Sequence, residues 1–288
     1  MAASAPSLPE QLLKSIEQNR IPPCPAILQQ VVAETRKTEP DLRALAVIIS
    51  ADAGVAASLL KTVNSPFYGL PDKAHTVQQA ISLLGIRATA NAVASITLQR
   101  ALPTPPQLER FWDSSMKIAR LSGWLAQQLL ARVNIAADLA YTFSLFRDAG
   151  IPIMLSRFPD YHATLQEANT GPLRGFTEIE EERHSTSHAL IGYLLTQSWW
   201  LASDTCKAVR HHHDCTLIAT DNRVLSVESG NLIMLAQLAE YLLQQTSGQC
   251  HTREWDKMGE AICTRLGLDD TALQELLEQA RDLPLGDD

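Results

Sequence analysis

The sequence predicts an all-α protein, a two-lobed helical bundle, and three observations carry that expectation. Apolar residues recur at helical spacing along nearly the whole chain, as in Ile27, Leu28, Val31 and Val32, or in Leu232, Leu235, Ala236, Ala239 and Leu243. No stretch of useful length alternates apolar and polar residues as a half-buried strand would. The stretch Ala101 to Gln107 carries Pro103, Pro105 and Pro106, which cannot continue a helix, so it parts an earlier set of helices from a later one.

The elements follow in order. Leu12, Leu13 and Ile16 mark a short first helix after Pro9, and a proline-stiffened stretch leads to the face of Ile27 to Val32. Asp41 is placed to cap a helix bearing Leu42, Leu45, Ala46 and Ile49, and Asp52 one bearing Val55, Leu59 and Val63. That helix ends near Asn64, because Pro66 restricts the residue before it. In the loop that follows, Phe67 and Tyr68 can serve either as core or as partner contacts. Thr76 and Gln79 have capping-box spacing ahead of Val77, Ala80, Ile81 and Leu84, and Gly85 breaks the helix before a small-residue segment running to Arg100. Beyond the proline break, Met116, Ala119, Gly123, Ala126 and Leu130 mark a helix with a face open to close approach. Another helix ends at Asp148, where Gly150 and Pro152 read as its stop. Tyr161 to Ala168 is helical, and His188, Gly192, Leu195 and Trp199 share the face of a further helix. Thr205 to His213 reads as helix and Thr216 to Gly230 as loop. Three helices close the chain, the long one from Leu232, one on Trp255, Met258, Ile262 and Leu266, and one on Leu273, Leu276, Leu277 and Ala280.

The 288 residues are 45% apolar and 19% charged, enough for a packed core. A net charge of −8 argues against binding nucleic-acid backbones, which takes clustered Lys and Arg. Five cysteines, Cys24, Cys206, Cys215, Cys250 and Cys263, form no CxxC pair, which suits a reduced, cytoplasmic setting. The first residues lack the features of a signal peptide, and no run matches the roughly 20 apolar residues of a membrane helix, so no membrane partner is expected. There is no phosphate-binding glycine loop, and Ser114 and Ser144 have no base at a nucleophile's motif spacing.

The stretch Ser144 to Leu155, SLFRDAGIPIML, draws the chemistry together. One aspartate, Asp148, and later histidines at 184, 188 and 211–213 are the raw material of a metal-dependent phosphohydrolase site. Several stretches, taken in order, resemble the HDOD domain family, relatives of the HD phosphohydrolases. They are LAVIISADAGVAASLLKTVNSPFYGL and HTVQQAISLLGI early, then FWDSSMKIARLSGWLA, SLFRDAGIPIML, EERHSTSHALIGYLLTQSWWL and AVRHHH. The resemblance implies an N-terminal helical lobe over residues 1–102, an HD-like lobe over 103–225, and helices of 226–288 packed on the latter. It also implies a regulatory role in signal transduction without established hydrolysis.

Carried onto this chain, the ligand positions of a working HD enzyme fall near Ser114, on Arg147 and Asp148, on His188, His212 and His213, and near Gln237. Arg147 stays protonated and has no lone pair to offer, so it is no ligand and would repel a cation. Consecutive helical residues diverge by about 100°, so the three adjacent histidines are not expected to face one ion, although His211 and Cys215 could. The expectation is therefore a degenerate site with no metal, no cofactor and no catalytic residue. Arg147 and Asp148 are either a structural ion pair or an anion clamp, and Trp199 and Trp200 divide between core and a partner surface. The leading reading is a non-catalytic module that binds a signalling protein or a small signalling ligand through the groove between its lobes. The alternatives are a divergent metal phosphohydrolase using Asp148, His188, His212 and His213, and a non-catalytic nucleotide sensor.

Overall fold

In the computed structural model, residues 9–65, 68, 73–102, 108–171, 174–220, 224–249 and 252–285 are described. The proline run 103–107, Phe67 and Cys250 lie outside them. All the regular structure among these residues is helical. The earlier set comprises α1 (Glu10–Gln18), α2 (Ala26–Thr35), α3 (Leu42–Ser50), α4 (Ala53–Val63) and α5 (Val77–Ala101). The later set comprises α6 (Glu109–Gln128), α7 (Leu130–Val133), α8 (Ala137–Phe146), α9 (Gly150–Arg157), α10 (Tyr161–Thr170) and α11 (Phe176–His184). It continues with α12 (His188–Ser198), α13 (Ser203–His211), α14 (Cys215–Ala219), α15 (Val227–Ser247), α16 (Glu254–Leu266) and α17 (Asp270–Arg281).

The expected caps form. Asp41 accepts from the Arg43 amide, Asp52 from the Val55 amide, and Thr76 and Gln79 close a reciprocal capping box. Each satisfies an amide that the helix itself leaves without a partner. Gly85, at φ 77°, bends α5 at the expected break, a backbone conformation that costs glycine no Cβ clash. α5 is long and apolar enough to cross a membrane, contrary to the expectation from composition. It packs against α2, α3, α4 and α8.

α15 is buried on nearly every face, from Ser229 to Leu243, and α6, α8, α13, α16 and α17 lean on it. Burial on all sides, with the polar Asn231, Gln237 and Glu240 included, makes it the post of the later set. The two sets meet along α5 and α8, where Asn91 Nδ2 donates to Asp138 Oδ2 at 2.8 Å. The first helix does not join its neighbours in sequence. α1 packs on α12, Arg157 donates to Asn19 Oδ1 at 2.8 Å, and Trp199 Nε1 donates to the Pro22 carbonyl at 3.2 Å. The segment before α2 is thereby tied to the later helices. Within the expected loop of Thr216 to Gly230, residues 216–219 are helical, where Asp214 caps the Leu217 amide, and so are 227–230, where Ser226 caps the Ser229 amide.

Candidate metal centre

Gly150 and Pro152 open a helix instead of closing one. α8 ends at Phe146, and α9 begins at Gly150 with Pro152 in its first turn, where a missing N–H costs nothing. Arg147 and Asp148 sit at the elbow between the two helices. A Cβ at Gly150 would lie 2.1 Å from the His188 carbonyl oxygen, so only glycine lets α9 press against the start of α12. Gly150→Ala is expected to destabilise the chain by about 1–3 kcal/mol through that overpacking, as urea unfolding would measure.

Four side chains converge beside this elbow. One ligand atom from each of Asp148, His188, His212 and His213 lies within 4.8 Å of the others. His188 Nε2 stands 3.3 Å from His212 Nε2 and 3.1 Å from His213 Nε2. Asp148 Oδ1 stands 3.2 Å from His212 Nε2 and 3.5 Å from His188 Nε2. Ligands about 2.0–2.1 Å from a tetrahedral ion stand about 3.3–3.4 Å from one another, close to these four separations, and the remaining two lie within 4.8 Å.

The other ring nitrogens explain the aim. His212 Nδ1 lies 2.8 Å from the Val209 carbonyl, which only accepts, so Nδ1 carries a hydrogen and Nε2 of the neutral ring is bare. His188 Nδ1 lies 2.8 Å from both Glu180 oxygens, and His213 Nδ1 lies 2.8 Å from Glu254 Oε2. Acceptors on all three Nδ1 atoms turn three Nε2 atoms inward, the arrangement that orients metal-bound histidines. Glu180 also accepts from the Tyr161 hydroxyl, and Glu254 from Lys257 at 2.6 Å.

Of the three adjacent histidines, His212 and His213 enter the cluster. α13 stops at His211, so His212 and His213 leave the helix and turn the same way. His211 and Cys215 are absent from the cluster. The ground for expecting no metal is weakened accordingly, since a four-ligand set is present.

Arg147 is buried and points the other way. Its Nε donates to Asp148 Oδ2 at 3.0 Å and its Nη2 to Glu240 Oε2 at 3.1 Å, while Nη1 lies 3.4 Å from the Ala236 carbonyl. Asp148 therefore serves the histidines with one oxygen and the guanidinium with the other. Burial alone would raise its carboxyl, but Arg147 and the neighbouring His188 hold it well below the usual carboxylate range. Burial pushes Glu240 up, against the pull of Arg147. Burial disfavours a charged His188, yet Glu180 and Asp148 raise it to about 10, while burial and the nearby His213 push His212 down to about 4.

The remaining expected positions fall out as follows. The Gln237 amide lies 3.4 Å from the His212 carbonyl, and Glu240, one turn later, faces Arg147. Ser114 lines a cavity of about 660 Å³ together with Arg147, Asp148, His213 and Glu240. Trp199 is fully buried, edge-on to Phe146, and shows no ring to a partner. Trp200 is half-buried in a left-handed conformation, φ 56°. Sequence reasoning missed Glu180, Glu240 and Glu254. Each lies on a different helix from the residue it serves, and no spacing marks it.

A family model described as the HDOD domain matches residues 21–215. The chain belongs to the HDOD domain family. An HDOD domain protein from Geobacter sulfurreducens shares its fold at TM-score 0.63 and 16% identity, over 94% of this chain and 97% of that one. A Shewanella amazonensis protein provisionally named a phosphohydrolase superposes at TM-score 0.68 and 20% identity, over 96% and 95%. A Marinobacter aquaeolei protein provisionally named for signal transduction does so at 0.66 and 21%, over 92% of this chain and 58% of that one. At such identities the likeness establishes the fold. An uncharacterised Treponema pallidum protein is 24% identical over 206 residues, and the match spans 67% of this HDOD chain but 38% of that protein.

Proposed function

We propose that this HDOD chain is a signal-transduction module that acts by binding a partner protein and does not hydrolyse phosphate esters. In this reading Asp148, His188, His212 and His213 hold one transition-metal ion as a structural cross-link between the α8–α9 elbow, α12 and the end of α13. The observation that carries it is Arg147. Its buried guanidinium takes up Asp148 Oδ2 and Glu240 Oε2, the oxygens next to the histidine set that could otherwise hold a second cation. Structural zinc sites are closed by four protein ligands, whereas catalytic ones keep a position for water. Four ligands converge here, which favours the closed kind. When bound, the ion supplies positive charge that holds Asp148 and the three imidazoles together.

A metal phosphohydrolase is the second reading. It is favoured by the cavity of about 660 Å³ that Asp148 and His213 line. Elemental analysis and turnover of bis-p-nitrophenyl phosphate and a cyclic dinucleotide separate the two. The expected result is about one zinc-like ion per chain, from one four-ligand set, and no turnover above a chelated control. Hydrolysis that disappears both on chelation and in Asp148→Asn would sink the regulatory reading.

A further inference from the structure

A second cavity, of about 630 Å³, lies on the seam between the two helix sets, away from the histidine cluster. α4 and α5 form one wall, and α6 and α8 the other. Its apolar lining includes Ile96, Met116, Trp124, Tyr141 and Leu145. Lys61, Arg100 and Arg120 reach it, Arg100 pairing also with Asp52 at 3.5 Å, and the single acid of the lining, Asp138, is engaged by Asn91. A large apolar pocket with a few charged groups of one sign is built to recognise a ligand of opposite sign.

The chain itself shows what such a ligand looks like. After α17, Leu283, Pro284 and Leu285 lie along the cavity. Both leucines pack on the core, the Leu285 amide donates to the Leu283 carbonyl at 2.9 Å, and Arg120 Nη1 donates to the Leu285 carbonyl at 2.8 Å. The cavity remains with these three residues in place, so it has room for a longer occupant. In sequence the segment is Asp282-Leu-Pro-Leu-Gly-Asp-Asp288, three acids around an apolar triplet, opposite in sign to the cations of the groove.

We infer that the seam cavity is a docking groove for an extended segment of a partner protein, of the Leu-Pro-Leu type with acidic flanks, and that residues 283–285 are its resident competitor. Two apolar anchors enter the groove, Arg120 holds the backbone carbonyl of the second, and the acidic flanks meet the cations. This rests on the partner-binding reading above and names the surface that performs it. A tethered competitor acts at an effective concentration of order mM, so its release raises apparent affinity for an outside segment without a new contact.

The test uses a fluorescein-labelled peptide of residues 281–288 and fluorescence polarisation. The full chain carrying Leu283→Asp and Leu285→Asp together, checked for native helicity, is expected to bind it saturably and at least about tenfold more tightly than the unaltered chain. Adding Arg120→Gln is expected to weaken that binding at least about fivefold, as one hydrogen bond from a charged donor would. A folded double variant that ignores the peptide, equal binding by both chains, or equal binding of a scrambled peptide of the same charge would each overturn the inference. Should the double variant not fold, Arg120→Gln alone is measured in the unaltered chain, where faster amide exchange at Leu285 supports the inference and unchanged exchange overturns it. Phosphoester hydrolysis would defeat the regulatory reading without touching the groove, and absent peptide binding would defeat the groove without touching that reading.

Discussion

Arg147→Met is expected to lower the unfolding free energy of the metal-free chain by about 3–5 kcal/mol, the usual cost of stripping one partner from a buried ion pair. Arg147 is 2% exposed and faces two carboxylates, Asp148 and Glu240. Methionine fills much of the same space but leaves Glu240 without a counter-charge and Asp148 with His188 alone. Glu240, already pushed up by burial, loses the guanidinium that opposed that push, whereas Asp148 keeps His188 beside it. Adding Glu240→Gln to Arg147→Met is therefore expected to cost less than the sum of the two single changes, since the amide removes one stranded charge. Urea unfolding of the four proteins in chelator measures the cycle. A loss below about 1 kcal/mol for Arg147→Met, in the range of ordinary surface changes, would show that the guanidinium does not neutralise this pocket.

The helices were legible because they rest on local chemistry. Asp41, Asp52 and the Thr76–Gln79 pair sit at the starts of segments whose apolar spacing had already announced them, and each cap forms. The site was legible only as a roster. Asp148, His188, His212 and His213 could be named, but their convergence depends on α13 stopping at His211, two residues before the expected end. Asp214, which caps the next short helix, was the available sign of that stop. Gly150 and Pro152 misled for a related reason, since the residues that end one helix also suit the first turn of another. Glu180, Glu240 and Glu254 could not have been found at all. Glu240 and Glu254 take their roles from elements that meet across tertiary distance, and Glu180 from the turn that folds α11 back on His188, and neither leaves a period in the chain.

Zinc is expected to stabilise the chelated chain by about 4 kcal/mol when present at a thousandfold over its dissociation constant. For a domain of this size that raises the thermal midpoint by about 10 °C. The gain is expected to depend on pH, because the metal and a proton compete for His188. In the metal-free chain Glu180 and Asp148 overcome burial and raise His188 to about 10 from 6.5, so its Nε2 is protonated at neutrality. The proton's stabilising effect is complete below pH 6.5 and fades as the pH rises toward 10. Zinc must displace that proton, so its affinity is expected to rise about tenfold per unit between pH 6 and 8. His212, held down to about 4, is already neutral there and adds no slope. Calorimetric titration of the chelated chain at several pH values reads the slope, and His188→Ala should abolish binding along with it. A zinc affinity that stays level across that range, or survives His188→Ala, would mean that the ion does not enter through the imidazoles converging on Asp148.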